Sequence, residues 1–235
     1  MKLKARIVGW TELAPGVRHF DFQMVGDDRL VFTSGQFVSV TEHEDGKEVT
    51  RAYSIASPPN GNHFSLCLNR VDDGIVSPYL FSLEPNAEVE IEQPLGYFTL
   101  RRPERRAVFV ATGTGIAPFR SILLDHLPKG STDITLLFGA RYLDTLLYRE
   151  ELERLAALYP RFRFLPTITR PAPDWSGRTG RVQQHLDEAL DLHEESAKGS
   201  LDVYICGMKE MVDEVRALLK ERGFDRKQII YEKYD

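Results

Sequence analysis

At residue 102 the hydrophobic pattern of the chain changes its period. Before it, short alternating or β-branched runs recur at 3–9, 17–24, 36–42, 49–56, 63–71 and 87–92. Ala14-Pro15-Gly16, Ser34-Gly35, Glu44-Asp45-Gly46 and Pro58-Pro59-Asn60-Gly61-Asn62 mark turns between them. Many short strands at this spacing predict an antiparallel barrel or sandwich. One helix-like piece, 75–83, opens after Asp73-Gly74.

After residue 106 the apolar runs become continuous: 107–111, 134–138, 162–165, 203–206 and a short 229–231. Amphipathic stretches near 116–127, 145–158, 181–191 and 208–222 separate them. Strands without alternation, separated by helices, predict a parallel sheet covered on both faces. Arg101-Arg102-Pro103-Glu104-Arg105-Arg106 lies between the two textures and reads as a solvated connector. The expected domains are therefore 1–102 and 103–235.

Composition removes several function classes. The chain is 42% hydrophobic and 28% charged, as soluble globular chains are. No apolar run reaches the roughly 18 residues of a membrane helix. The first residues alternate in the manner of a strand and lack the apolar core of a signal peptide. A net charge of −5 disfavours nucleic acid as a partner. Cys67 and Cys206 are the only cysteines, which predicts no disulfide framework and a reducing compartment, the cytoplasm. Two cysteines are also too few for a resident iron–sulfur cluster, and no metal site is assigned.

The most informative segment is Val110-Ala111-Thr112-Gly113-Thr114-Gly115-Ile116-Ala117-Pro118. A buried strand ends, two glycines follow and a helix begins. Glycines there let the backbone turn tightly and approach a phosphate, and the helix start offers free N–H groups to it. Pro118 in the first turn is tolerated, because those N–H groups lack helical partners. The plainer reading is a strand–helix turn packed through its glycines. The G-x-G-x-x-G fingerprint is absent, since Pro118 replaces its third glycine. The acid expected after the second strand is also missing: Arg141 stands there, and Asp144 comes three residues later.

Together with other motifs, this segment resembles the ferredoxin–NADP reductase-like flavoproteins over nearly the whole chain. Arg51-Ala52-Tyr53-Ser54 resembles the family's R-x-Y-S flavin motif, and Gly74-Ile75-Val76-Ser77 its second flavin motif. Gly113-Thr114-Gly115-Ile116-Ala117-Pro118 resembles the pyridine-nucleotide motif, Cys206-Gly207 the C-G before the last long helix, and Tyr231-Glu232-Lys233-Tyr234 the C-terminal end. Alone, R-A-Y-S would read as barrel wall, and Gly74 and Ser77 as a turn glycine and a helix cap. Five motifs in order point instead to bacterial ferredoxin–NADP reductases and the reductase components of oxygenases.

The resemblance implies an antiparallel flavin-binding β-barrel followed by a parallel-sheet nucleotide-binding domain. It implies FAD held by Arg51, Ala52, Tyr53, Ser54 and Gly74 to Ser77, and a nicotinamide nucleotide held by Thr112 to Gly115, Pro118 and Gly207. It places Ser54, Cys206 and Glu232 where flavin and nicotinamide meet. Arg170 and Arg181, with Arg141 and Arg178 nearby, match positions that hold the 2′-phosphate of NADPH. NADH is the alternative, because its users share a similar Trp175-x-Gly177 frame. The implied reaction passes hydride between NADPH and FAD, and single electrons to ferredoxin or flavodoxin. The alternatives are an NADH-dependent oxygenase reductase, or an electron-transfer subunit that binds FAD without oxidising nicotinamide. A monomer is expected. The family often ends in an aromatic residue over the flavin; here Asp235 is last and Tyr234 precedes it.

Overall fold

Alternation along Lys2–Ala14 turns Leu3, Ala5 and Ile7 inward and leaves Lys2, Lys4 and Arg6 outside, as a half-buried strand requires. The computed structural model of the chain describes residues 2–192 and 198–234; Asp235, the expected terminal position, lies outside them. Two compact units are present. One is Met1–Leu100 with Ala117–His126, and the other is Arg101–Ile116 with Leu127–Asp235.

The first unit is an antiparallel sheet of β1 (Lys2–Ala14), β2 (Val17–Met24), β3 (Phe37–Glu44), β4 (Lys47–Ser54), β5 (His63–Asn69) and β6 (Glu88–Glu92). Its order is β4-β3-β6-β1-β2-β5. An Ile55–Leu66 bridge and an Ala56 N–H to Ser65 carbonyl bond of 2.8 Å join its two edges. That bridge curls the sheet into a barrel and covers part of both edges. Phe20, Phe22 and Phe64 fill it, with Phe22 and Phe64 stacked at 5.0 Å. Such a pair adds about 1 kcal/mol beyond the area it buries. Helix α1 (Val76–Ser82) seats Val76 and Leu80 in the same core. Most of α2 (Ile116–His126) also belongs to this unit. Phe119 meets Phe98 edge-on at 5.4 Å. Arg120 and Ser121 donate to the Ala56 and Ser57 carbonyls at 2.8 and 2.6 Å, and the Ser34 hydroxyl donates to Asp125 at 2.7 Å.

The second unit is a parallel sheet of β7 (Arg106–Thr112), β8 (Ile134–Ala140), β9 (Phe162–Ile168), β10 (Arg178–Thr179), β11 (Leu201–Met208) and β12 (Ile229–Tyr234). The order β10-β9-β8-β7-β11-β12 places the first strand in the middle. Helices α3 (Arg149–Leu158), α4 (Leu186–Leu190) and α5 (Lys209–Glu221) accompany it. On α5, Met211, Val212, Val215 and Leu219 repeat at helical spacing and pack on the core that holds Val203 and Ile205.

Several expected boundaries move. The helix expected from residue 145 starts at Arg149, because Leu143–Thr145 forms a 3₁₀ turn and Tyr148 takes a left-handed φ of 56°. The helix expected at 181–191 is a 3₁₀ turn, Val182–His185, followed by the short α4. The connector is not solvated. Arg102 forks onto Asp202, with one bond of 2.7 Å, and Arg105 adds an ion pair at 3.2 Å. Arg106 donates to the Leu190 carbonyl, and the Arg101 N–H to the Tyr204 hydroxyl. Asp202 is 1% exposed. A buried carboxylate demands such partners, and burial still holds its carboxyl above the usual value against both arginines.

Candidate active site

In the parallel sheet the chain leaves β7 toward β8 on one side, while β11 lies on the other. At such a switch point the strand ends part and leave a crevice. Both strand-end motifs are there. Gly113 has a φ of +54° and open space where a Cβ would project, so the turn is accessible to a ligand. Gly115 is the opposite case. A Cβ on it would lie 2.4 Å from the Cys206 carbonyl oxygen and 2.8 Å from the Gly207 Cα. Gly207, at φ +149°, leaves no such room either, since its Cβ would lie 2.5 Å from the Thr112 hydroxyl. The two motifs therefore pack backbone against backbone. Gly113 to Gly115 form a 3₁₀ turn leading into α2, whose first turn carries no acidic side chain. The Thr112 hydroxyl is buried without a hydrogen-bond partner among the described residues. An orphan hydroxyl beside an open glycine turn fits a nucleotide that would supply the missing bond.

Cys206 is wholly buried and stands opposite Ala111 on one side and Glu232 on the other. Burial and the Glu232 charge push its thiol well up, against a hydrogen bond from Tyr234. It is a neutral packing group and not a nucleophile. Of the three expected catalytic residues, Cys206 and Glu232 come together on neighbouring strands, with Tyr234 beside them. Ser54 lies in the first unit, buried and opposite Phe37.

In the barrel, Arg51, Ala52, Tyr53 and Ser54 end β4. Arg51 is exposed, donates to the Thr50 carbonyl at 2.9 Å and makes no ion pair among the described residues. Tyr53 leans on the core, and burial pushes its phenol up to about 12. Helix α1 packs beside β3 and β4. Ser77 does not cap that helix; its hydroxyl accepts from the Val71 N–H at 3.0 Å and braces the turn in which Gly74 bonds the Val71 carbonyl. Ile75, at the cap position, offers no side-chain bond. An exposed arginine with no acidic partner among the described residues has the charge and the planar donor fork that suit a pyrophosphate.

Four arginines stand at or just beyond the ends of β8, β9 and β10, and the structure separates them. The Arg170 N–H bonds the Arg141 carbonyl at 2.8 Å, so these two stand side by side beyond β8 and β9. Arg170 also donates to the Tyr142 hydroxyl at 3.2 Å. Arg181 is 72% exposed and 4.0 Å from Glu214. Arg178 is committed, since its guanidinium forks onto Glu188. Asp144 is exposed in its 3₁₀ turn. Tyr142 carries no motif in the sequence, and only its contact with Arg170 brings it to this group.

Two domain families match the chain: an oxidoreductase FAD-binding domain over residues 4–100 and an oxidoreductase NAD-binding domain over 109–217. A ferredoxin–NADP reductase B of Sorangium cellulosum is 43% identical over 241 residues, covering 99% of this chain and 97% of its own length. This chain belongs to the ferredoxin–NADP reductase-like flavoproteins. Within the family, the phenol hydroxylase P5 protein of Acinetobacter pittii is 32% identical over 95% of this chain, which spans 63% of that protein. A ferredoxin–NADP⁺ reductase from Neisseria gonorrhoeae, solved with bound FAD and NADP, shares the fold at a TM-score of 0.84 and 24% identity, covering 99% and 98% of the two chains. Like them, this family member is an oxidoreductase, built as a closed antiparallel barrel and a parallel nucleotide-type sheet. Among the described residues no helix is long and apolar enough to cross a membrane.

Proposed function

We propose that the protein is a cytoplasmic, monomeric ferredoxin–NADP reductase, coupling oxidation of NADPH to reduction of a one-electron carrier protein of the ferredoxin or flavodoxin class. Residues 1–102 would hold FAD and 103–235 the nicotinamide nucleotide. FAD, when bound, supplies the exchange between hydride and single electrons. The protein's own residues bind and orient. Arg51 and the start of α1 meet pyrophosphate, and Tyr53 offers a flat face. Ser54 offers a small hydroxyl. Gly113 admits the nucleotide backbone, and Thr112 gives or accepts the bond it lacks. Cys206 presents an uncharged, soft wall, and Glu232 holds a carboxylate beside it. Arg141, Arg170 and Arg181 face the 2′-phosphate.

The observation that carries this reading is the contact of Gly115 with Cys206-Gly207, since it unites two nucleotide motifs that are about 90 residues apart in the chain. The test is stopped-flow flavin reduction with NADPH and NADH side by side. Faster bleaching by NADPH is expected. Faster bleaching by NADH would favour an oxygenase reductase, which the similarity to the phenol hydroxylase P5 protein supports. No bleaching by either would leave only a flavin-binding subunit.

A further inference from the structure

We propose that Tyr142 is a positioning residue for the 2′-phosphate of NADPH, acting through Arg170; this rests on the cofactor reading above. An arginine side chain loses rotamer entropy when it is fixed, so an unheld arginine binds an anion at a cost. The four arginines differ in how they are held. Arg178 is bound to Glu188, and Arg181 extends into solvent. Among the described residues, Arg170 is the one of these whose guanidinium donates to a neutral side chain, the Tyr142 hydroxyl. That bond restrains the guanidinium without neutralising it. A carboxylate in the same place would do the reverse and repel phosphate.

Tyr142 is itself fixed. Its carbonyl accepts from the Thr145 N–H at 3.2 Å and from the Thr145 hydroxyl at 2.9 Å, and its own N–H donates back to that hydroxyl at 3.2 Å. Tyr142 is 43% exposed, so the fixed backbone holds the residue at the surface and not in the core. The Arg170 N–H bond to the Arg141 carbonyl ties the two chain segments at their base. The pair therefore offers a phosphate a guanidinium that is already aimed.

The test is calorimetric titration of the FAD-loaded protein with adenosine 2′,5′-bisphosphate and with 5′-AMP, which differ only in the 2′-phosphate. Tyr142→Phe should weaken the bisphosphate about three- to tenfold, the worth of one neutral hydrogen bond, and leave 5′-AMP unchanged. In an Arg170→Ala background the same substitution should add nothing. A wild type that binds both ligands alike would remove the cofactor reading and this proposal with it. A wild type that discriminates, with Tyr142→Phe discriminating equally, would overturn the proposal alone. Parallel loss of both ligands, additivity with Arg170→Ala, or an ineffective Arg170→Ala would also overturn it.

Discussion

Gly115 and Cys206 are in backbone contact: a single methyl group on Gly115 would lie 2.4 Å from the Cys206 carbonyl oxygen. The glycine is demanded by the neighbouring strand, whereas Gly113 is demanded by its own φ of +54°. The two motif glycines thus fail differently when replaced. Gly115→Ala must push β7 and β11 apart, and should cost about 3 kcal/mol. Gly113→Ala meets no atom and should cost about 1 kcal/mol of left-handed strain. Thermal unfolding of the two variants checks this; equal losses would contradict the distinction.

Arg51→Ala should weaken FAD retention about ten- to a hundredfold, because a charge-assisted pyrophosphate contact is worth about 1.5–3 kcal/mol. The barrel should remain folded, since Arg51 is exposed and its bond goes only to the adjacent Thr50 carbonyl. Equilibrium dialysis of flavin is the measurement, and unchanged affinity would remove Arg51 from the site.

Replacing Arg170 and Arg181 together by alanine should raise the KM for NADPH by about a hundredfold and leave that for NADH nearly unchanged. Arg178→Ala should act otherwise. It strips Glu188 of its partner, so it should lower stability without changing the NADPH/NADH ratio. A ratio that follows Arg178 would reverse the assignment.

Cys206→Ala and Glu232→Ala should each slow single-turnover flavin reduction about tenfold, through misplacement alone. Because burial holds the Cys206 thiol protonated, the rate should show no thiol ionisation between about pH 6 and about pH 9. Both cysteines are buried, so a thiol reagent should label neither until the protein unfolds. Rapid labelling of Cys206 in the native protein would contradict its environment.

Arg102→Ala should destabilise the second unit by about 3 kcal/mol at neutral pH, as breaking a buried pair does. The folded Asp202 carboxyl sits above its unfolded value, so its contribution is lost as pH rises through that folded value. Without Arg102 it rises further. The loss should therefore be larger at about pH 8 than at about pH 4, and urea unfolding at the two values reads the difference.

Periodicity made the architecture legible, because alternation and continuous apolar runs report which strand faces are buried. Motif order made the family legible. What escaped was decided by partners remote in sequence. The connector arginines look solvated until Asp202, a hundred residues away, is brought beneath them. Ser77 looks like a helix cap, yet the Val71 N–H takes its hydroxyl. Arg178 looks like a helper beside Arg170 and Arg181 until Glu188 claims it. Tyr142 carries no motif, and only the Arg170 contact singles it out.

Helix α2 gives the chain a discontinuous plan, because ten of its residues belong with the barrel while both flanks belong with the parallel sheet. A gene truncated after Leu100 would encode strands without Phe119, Arg120 and Ser121, baring Phe98 and the Ala56 and Ser57 carbonyls. Recombination between such reductases at one crossover in the connector would pair each barrel with a foreign helix. Chimeras that keep barrel and helix from the same parent need two further exchanges, on either side of 117–126, and those are the ones expected to express as soluble protein.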